Sequence, residues 1–305
     1  MEKKEFNIEN YDRYDFPKDI TRVTSGSGGD CLFINGKEKC AVYDCGMGYC
    51  HSGLIENIEK ALKNNGKDTL DYVFISHTHY DHIGALPYIL ERWPEAKVCG
   101  AAKAQKVFQS EGAKKTMKRL GESARDLYSN LTEEIKVEDM RLDIPMADGD
   151  CIDLGGISMT AVETKGHTDC SMSYLMNPYK LLFSSESTGV LRPSGKMDTS
   201  ILKNFENTIK SAEKCRKLKP SGIIVNHYGV VPKEMVDTYY DLYIAAAEEE
   251  KEFILDLHKK YTDYQMVLER YRDRYWTEER KKNQPEAAFL ENAKYIIRHI
   301  IETYA

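Results

Sequence analysis

The sequence predicts an α/β protein, an αββα sandwich with appended C-terminal helices. Three observations carry that expectation. Short apolar strand-like runs alternate with helical segments through the first 232 positions. The alternation occurs in two halves, so two β-containing layers with helices outside are implied. From position 233 to 305 the character changes to helical spacing throughout, with one proline, Pro285, and no glycine. The expected division is therefore 1–232 for the sandwich and 233–305 for a helical extension.

In the first half, strands are expected at 22–23, 30–34, 40–43, 72–76 and 97–99. The run Leu70-Asp71-Tyr72-Val73-Phe74-Ile75-Ser76 is short, apolar and rich in β-favouring residues, as a buried strand should be. Helices are expected at 53–64 and 103–109. Positions 84–93 repeat apolar residues at helical spacing, and Pro87 is tolerable in a first turn. Residues 111–134 read as a charged helical insertion, lying either over the mouth of a site or in solvent. The second half repeats the scheme with hairpin strands over 146–164, strands at 172–176 and 181–184, a helix at 201–218 and a buried-type strand over 223–227.

In the tail, Val236, Tyr239, Tyr240, Tyr243, Ile244 and Ala247 recur every three or four positions, giving a wide apolar stripe. Gln284-Pro285-Glu286 resembles a helix start with proline at its first position, leading into Phe289, Ile296 and Ile300. About three helices are expected. A stripe holding Tyr239, Tyr243, Ile296 and Ile300 has to be covered by the sandwich, another subunit or substrate, because large exposed apolar patches are uncommon on monomers. The tail is expected beside the site and in a homodimer contact.

Composition narrows the function classes. Lys and Arg number 43 against 49 Asp and Glu, a formal charge of −6 with no long basic tract. Phosphate neutralisation needs clustered cations, so no nucleic-acid partner is expected, although a small phosphodiester stays open. The charged start, Met1-Glu2-Lys3-Lys4-Glu5, leads into no apolar stretch, so no signal peptide is expected. No apolar run approaches the roughly 18 residues that span a bilayer, and no membrane partner is expected. Eight cysteines without a CxxC pair read as small buried hydrophobes in a reducing compartment, and the expected location is cytoplasmic. Cys170, three residues past His167, is the one placed to approach a site.

Five of the eight histidines fall into one pattern, densest in Ser76-His77-Thr78-His79-Tyr80-Asp81-His82-Ile83-Gly84. His77 and His79 sit two apart, so an extended or turning backbone can point both the same way. Asp81 and His82 then face a neighbouring position, and one loop can serve two metal ions. Imidazole nitrogen and carboxylate oxygen are donors that zinc, iron and manganese accept. The loop follows a strand and precedes a helix, where sites on α/β scaffolds are usually built.

This segment resembles the HxHxDH signature of the metallo-β-lactamase-fold superfamily. Gly166-His167-Thr168 is similar to that family's GHT turn, and Leu181-Leu182-Phe183-Ser184-Ser185-Glu186 ends where the family usually places a bridging aspartate. Ile223-Ile224-Val225-Asn226-His227-Tyr228-Gly229 is similar to the strand carrying the last ligand. The resemblance covers roughly residues 20–232. It implies His77, His79 and His167 on one metal, Asp81, His82 and His227 on the other, and Glu186 between them. Glutamate departs from the usual aspartate by one methylene, so Glu186 could also serve one metal alone. Asp44, in Tyr43-Asp44-Cys45-Gly46, is similar to a family aspartate that orients a ligand histidine; a turn-forming aspartate before Gly46 is the alternative.

The resemblance implies two divalent metal ions, zinc first, with iron or manganese as alternatives. Such a pair lowers the pKa of a bound water from near 16 to around 7. The expected activity is hydrolysis of a small-molecule ester, thioester or lactone, with Asp81 shuttling a proton and Tyr228 donating to a developing oxyanion. Superfamily phosphodiesterases share the ligand set. Flavodiiron oxidoreductases carry glutamate where this chain has His79, and a flavin domain of which this chain gives no sign. The non-enzymatic alternative is a degenerate member that binds metal poorly and works through its helical tail.

Overall fold

The computed structural model describes residues 13–282 and 284–305. The first sheet takes strands β1 (Ile20–Arg22), β2 (Leu32–Asn35), β3 (Cys40–Tyr43), β4 (Tyr72–Phe74), β5 (Lys97–Ala101) and β6 (Ile144–Met146) in sequential order. β1 to β3 form antiparallel pairs, whereas β3 to β6 run parallel. Parallel neighbours need crossovers, and helices supply them. α1 (His51–Asn64) joins β3 to β4, and its Leu54, Ile58, Ala61 and Leu62 form the buried face. The single turn α2 (Tyr80–Ile83) and α3 (Leu86–Arg92) join β4 to β5; α4 (Ala104–Phe108) and α5 (Glu111–Tyr128) precede β6.

The second sheet contains β7 (Cys151–Asp153), β8 (Ser158–Glu163), β9 (Met172–Asn177), β10 (Leu181–Ser184), β13 (Gly222–Val225) and β14 (Gly229–Val230), in the order β14-β13-β10-β9-β8-β7. β11 (Val190–Leu191) pairs with β12 (Met197–Asp198) as a separate hairpin, and α6 (Phe205–Lys217) leads into β13. The two large sheets face each other across one apolar core. Tyr43 meets Phe183 edge-on at 4.9 Å and Phe74 meets Tyr174 at 5.2 Å. The Tyr174 hydroxyl donates to the Ile75 carbonyl at 2.9 Å, so a polar stitch also joins the layers. Truncating such buried aromatics typically costs about 3–5 kcal/mol.

The tail comprises α7 (Tyr239–Lys260), α8 (Tyr264–Tyr275), the single turn α9 (Glu278–Lys281) and α10 (Glu286–Tyr304). Its three long helices match the expectation, and α9 adds one short turn. Tyr239, Tyr240 and Tyr243 are buried in a cluster with Leu182, Ile223 and Val225 of the second sheet and Cys215 of α6. Ile296 and Ile300 are buried with Ile254, Leu268 and Phe205. The chain covers this stripe with its own sandwich and tail residues.

Three segment assignments also change. Met146 belongs to β6 of the first sheet, so the hairpin starts only at β7. Residues 201–204 precede α6 rather than joining it, because Asn204 caps the helix by accepting from the Asn207 amide at 2.8 Å. The insertion is helical only to Tyr128, and Gly112, Ala113, Thr116, Met117 and Leu120 of its helix line a cavity, Met117 and Leu120 being buried there.

Candidate metal centre

The site forms where strand ends of both sheets meet. β4 stops at Phe74, and the loop after it delivers His77, His79, Asp81 and His82 from the first sheet. From the second sheet, the turn between β8 and β9 brings His167, the turn after β10 brings Glu186, and the turn between β13 and β14 brings His227. Two glycines permit the approach. A Cβ at Gly29 would lie 1.5 Å from the Asp81 carbonyl oxygen, and one at Gly166 would lie 1.9 Å from Thr208 Oγ1, where φ is also +141°.

Two groups of donors result. His77, His79 and His167 each place one donor atom within 4.8 Å of the others, as do Asp81, His82, Glu186 and His227. Glu186 faces both. Its Oε1 lies 3.0 Å from His82 Nε2 and 2.8 Å from His227 Nε2, while Oε2 lies 3.3 Å from His167 Nε2. Asp81 Oδ2 stands 3.8 Å from Nε2 of both His82 and His227.

Hydrogen bonds behind the rings set which nitrogen faces inward. His167 Nδ1 donates to the Ser200 carbonyl at 2.6 Å and His227 Nδ1 to the Gly28 carbonyl at 3.1 Å. A carbonyl only accepts, so in the neutral ring the lone pair is left on Nε2, the nitrogen that each histidine turns inward. His82 Nδ1 donates to Asp44 Oδ2 at 2.8 Å. Ser76 Oγ gives its proton to the same oxygen and therefore accepts from His77 Nδ1 at 2.9 Å. His77 Nε2 is then a buried acceptor with no hydrogen-bond partner.

Electrostatics agree with neutral imidazoles in the first group. Burial, then neighbouring histidines, pushes His77 well below its usual value, and the same causes bring His79 down to about 3. Burial also lowers His167. In the second group burial again penalises charge, but Asp81 and Asp44 outweigh it and lift His82; hydrogen bonding to Glu186 likewise lifts His227. Glu186 is buried too, yet the surrounding histidines hold its carboxyl well below the usual range.

A model of the metallo-beta-lactamase superfamily matches residues 24–227. The chain belongs to that superfamily. It is 29% identical over 177 residues to the metallo-beta-lactamase fold-containing protein ST1585 of Sulfurisphaera tokodaii, covering 56% of this chain and 66% of that protein. The solved structure of ST1585 from Sulfolobus tokodaii aligns with a TM-score of 0.57 at 19% identity, covering 94% of this chain and all (100%) of that one. Coenzyme F420H(2) oxidase of Methanothermobacter marburgensis is 26% identical over 186 residues, 61% of this chain but 38% of that protein. A shorter match, 32% over 82 residues, links 27% of the chain to 18% of a probable RNase of Methanocaldococcus jannaschii.

The metallo-beta-lactamase signature at 77–82 is thus met in space by His167, Glu186 and His227, and the residues present fit two divalent cations. The donors are imidazole and carboxylate, and the unpartnered His77 Nε2 is the lone pair such an ion would take. Tyr228 stands outside both groups; its hydroxyl receives Arg192 Nη1 at 3.3 Å. Cys170 is buried beside the site, with its sulfur 3.3 Å from Thr78 Oγ1. Sequence reading did not single out Ser76, Ser200, Asn226 or Gly28. Two of these act through backbone carbonyls, which no side-chain signature encodes.

Asp44 takes the orienting role, held at φ +53° after β3. It accepts from the Ser76 amide at 2.7 Å, Ser76 Oγ at 2.8 Å, His82 Nδ1 at 2.8 Å and Asn226 Nδ2 at 3.1 Å. Asp44→Asn turns one of these acceptors into a donor facing donors. The expected result is about 1–3 kcal/mol of lost stability and 10- to 100-fold weaker binding of a metal at the donor group that includes His82, read by thermal unfolding and zinc titration. Unchanged zinc affinity would show that His82 does not depend on this carboxylate.

Proposed function

We propose that this chain is a dinuclear metal-dependent hydrolase acting on a small-molecule ester, thioester or lactone. The observation that carries the reading is Glu186, which turns one carboxylate oxygen toward each of two donor groups. In this reading His77, His79 and His167 hold one ion, Asp81, His82 and His227 hold the other, and Glu186 lies between. Zinc suits the donors best, and iron or manganese accept the same set. Two such ions would polarise a substrate carbonyl and supply a nucleophilic water at neutral pH.

The protein's own groups complete the chemistry. Asp81, with its side chain 21% exposed, is the group that carries a proton toward the leaving group. Tyr228 lines the same cavity, and the Arg192 guanidinium beside its hydroxyl favours donation toward negative charge developing on a substrate oxygen. We read residues 1–232 as the catalytic sandwich and 233–305 as the extension that closes its cavity. Eight cysteines without disulfide partners suit a reducing cytosol. No helix among the described residues is long and apolar enough to cross a membrane.

The test joins elemental analysis to a panel of ester, thioester, lactone and phosphodiester substrates. About two ions per chain and turnover of a carboxylic ester class are expected. Fewer than about one-half ion after reconstitution, or no turnover of any carboxyl ester, would overturn the reading. Turnover confined to phosphodiesters would favour the RNase-like relatives, and iron with no hydrolysis would favour the oxidase-like ones.

A further inference from the structure

The large cavity beside the candidate metal centre carries more charges than the hydrolase reading uses. It encloses about 1110 Å³ and is lined by residues of the site, of α5 and of the tail helices. Among the described residues its lining holds seven Lys or Arg and seven Asp or Glu. Two of the acids, Asp81 and Glu186, belong to the donor groups, so seven cations face the five remaining acids: Asp169, Asp198, Glu249, Glu250 and Glu291. Any cation bound at the donor groups adds further positive charge.

The excess is concentrated around Asp198. Arg192, only 6% exposed, sends its Nε and Nη2 to Asp198 Oδ2 and its Nη1 to the Tyr228 hydroxyl. Arg280, from α9 in the tail, sends Nη2 to Asp198 Oδ1. One carboxylate therefore serves two guanidiniums. Arg280 Nε is buried without a hydrogen-bond partner. Two further acids stand nearby: Glu250 is occupied by the Thr199 and Tyr271 hydroxyls, and burial pushes its carboxyl up, so it offsets Arg280 only in part, while the Glu279 carboxylate accepts from the Ser194 amide and hydroxyl. Tyr271, Phe289 and Ile296 give the same cavity an apolar wall, and Arg280 stands 5.1 Å from the centre of the Phe289 ring.

A structural strut between the hairpin and the tail would need one arginine for one aspartate. It would not leave a guanidinium donor buried and idle at a cavity wall, because an unmet buried donor costs about 1–3 kcal/mol. A carboxylate or phosphate oxygen satisfies such a donor through one charge-assisted hydrogen bond, while Nη2 of the same edge stays on Asp198. We propose that the cavity binds an anionic substrate with an apolar body, its carboxylate or phosphate held by Arg280 with Arg192 behind it. The role of that anion as substrate rests on the hydrolase reading, whereas its binding does not.

Two experiments keep the claims apart. Binding of phenylacetate, phenyl phosphate and neutral benzyl alcohol to the as-purified protein is measured by calorimetry, in wild type, Arg280→Gln and Arg280→Lys. At least one anion is expected to bind, and Arg280→Gln should weaken it about tenfold or more, the loss of one charged hydrogen-bonded pair. Arg280→Lys keeps a charge beside Asp198 and should fall between, so a fold defect in the glutamine variant leaves the claim testable. Benzyl alcohol should bind no more tightly than the anions and respond to neither change. The tighter of the two anions assigns carboxylate or phosphate. Equal anion affinity in wild type and both variants, or preference for the alcohol, overturns the proposal. Separately, hydrolysis of 4-nitrophenyl butyrate is compared with that of mono-4-nitrophenyl succinate. Preference for the anionic ester that disappears in Arg280→Gln supports the substrate role. Absence of any hydrolysis, with anion binding still sensitive to Arg280, refutes the hydrolase reading alone.

Discussion

On the dinuclear hydrolase reading, Glu186→Gln is expected to lower the metal content from about two ions per chain to about one, and hydrolysis by more than about a hundredfold. The carboxylate is buried, and its two oxygens point to different donor groups. An amide offers one oxygen and no charge, so its NH2 must face either His167 or the His82–His227 pair. An ion held by His77, His79 and His167 would keep three imidazoles and should remain. The other loses one of two carboxylates and should leave. Residues that merely support a ligand cost 10- to 100-fold when removed, so a shared ligand should exceed that range. Elemental analysis and initial rates on one preparation decide it. Two retained ions with unimpaired turnover would show that Glu186 bridges nothing.

Tyr243→Ala should destabilise the protein by about 3–5 kcal/mol, a large part of the stability of an ordinary domain. Tyr243 is fully buried on α7 against the second-sheet side of the molecule. Its hydroxyl lies 3.1 Å from both the Ser187 and Thr199 carbonyls, a shared donation that ties the tail to two loops of the site. Ser187 Oγ receives the His167 amide at 3.0 Å, and the neighbour of Thr199, Ser200, accepts from the His167 ring. Tyr243→Phe keeps the packing and removes only the hydroxyl, so it should cost about 1–3 kcal/mol. It should also weaken metal binding at the donor group of His77, His79 and His167 while sparing that of Asp81, His82 and His227. Chemical denaturation and metal titration of both variants measure the two effects; a phenylalanine variant with unaltered metal affinity would confine Tyr243 to packing.

What could be read from the chain alone follows from how densely the chemistry is written. His77, His79, Asp81 and His82 share one loop, so their spacing carried the site, and the order of His167, Glu186 and His227 at strand ends supplied the rest. The alternation of strands and helices gave the sandwich, because a buried parallel strand such as β4 must be apolar and short. The hairpin of β11 and β12 escaped, since its strands are two residues each and leave no periodicity. β6 escaped because Ile144-Pro145-Met146 carries a proline that reads as a breaker, although an edge strand tolerates it. The Asp198–Arg280 contact joins residues 82 positions apart, and nothing local announces it. The tyrosine stripe was legible, but what covers it was not: periodicity gives a face, never the surface it meets.

Both donor groups draw on the same arm. The loop at 77–82, rooted in the first sheet, contributes to each, while His167, Glu186 and His227 come from the opposite sheet. The two positions are therefore mechanically coupled, like jaws that share one fixed plate. Sliding one layer of the sandwich over the other would strain both positions at once. Their separation is consequently a property of how the layers seat, and core substitutions at Tyr43, Phe74 or Tyr174, which pack between the layers just behind the site, are expected to act on it as a pair of shims would.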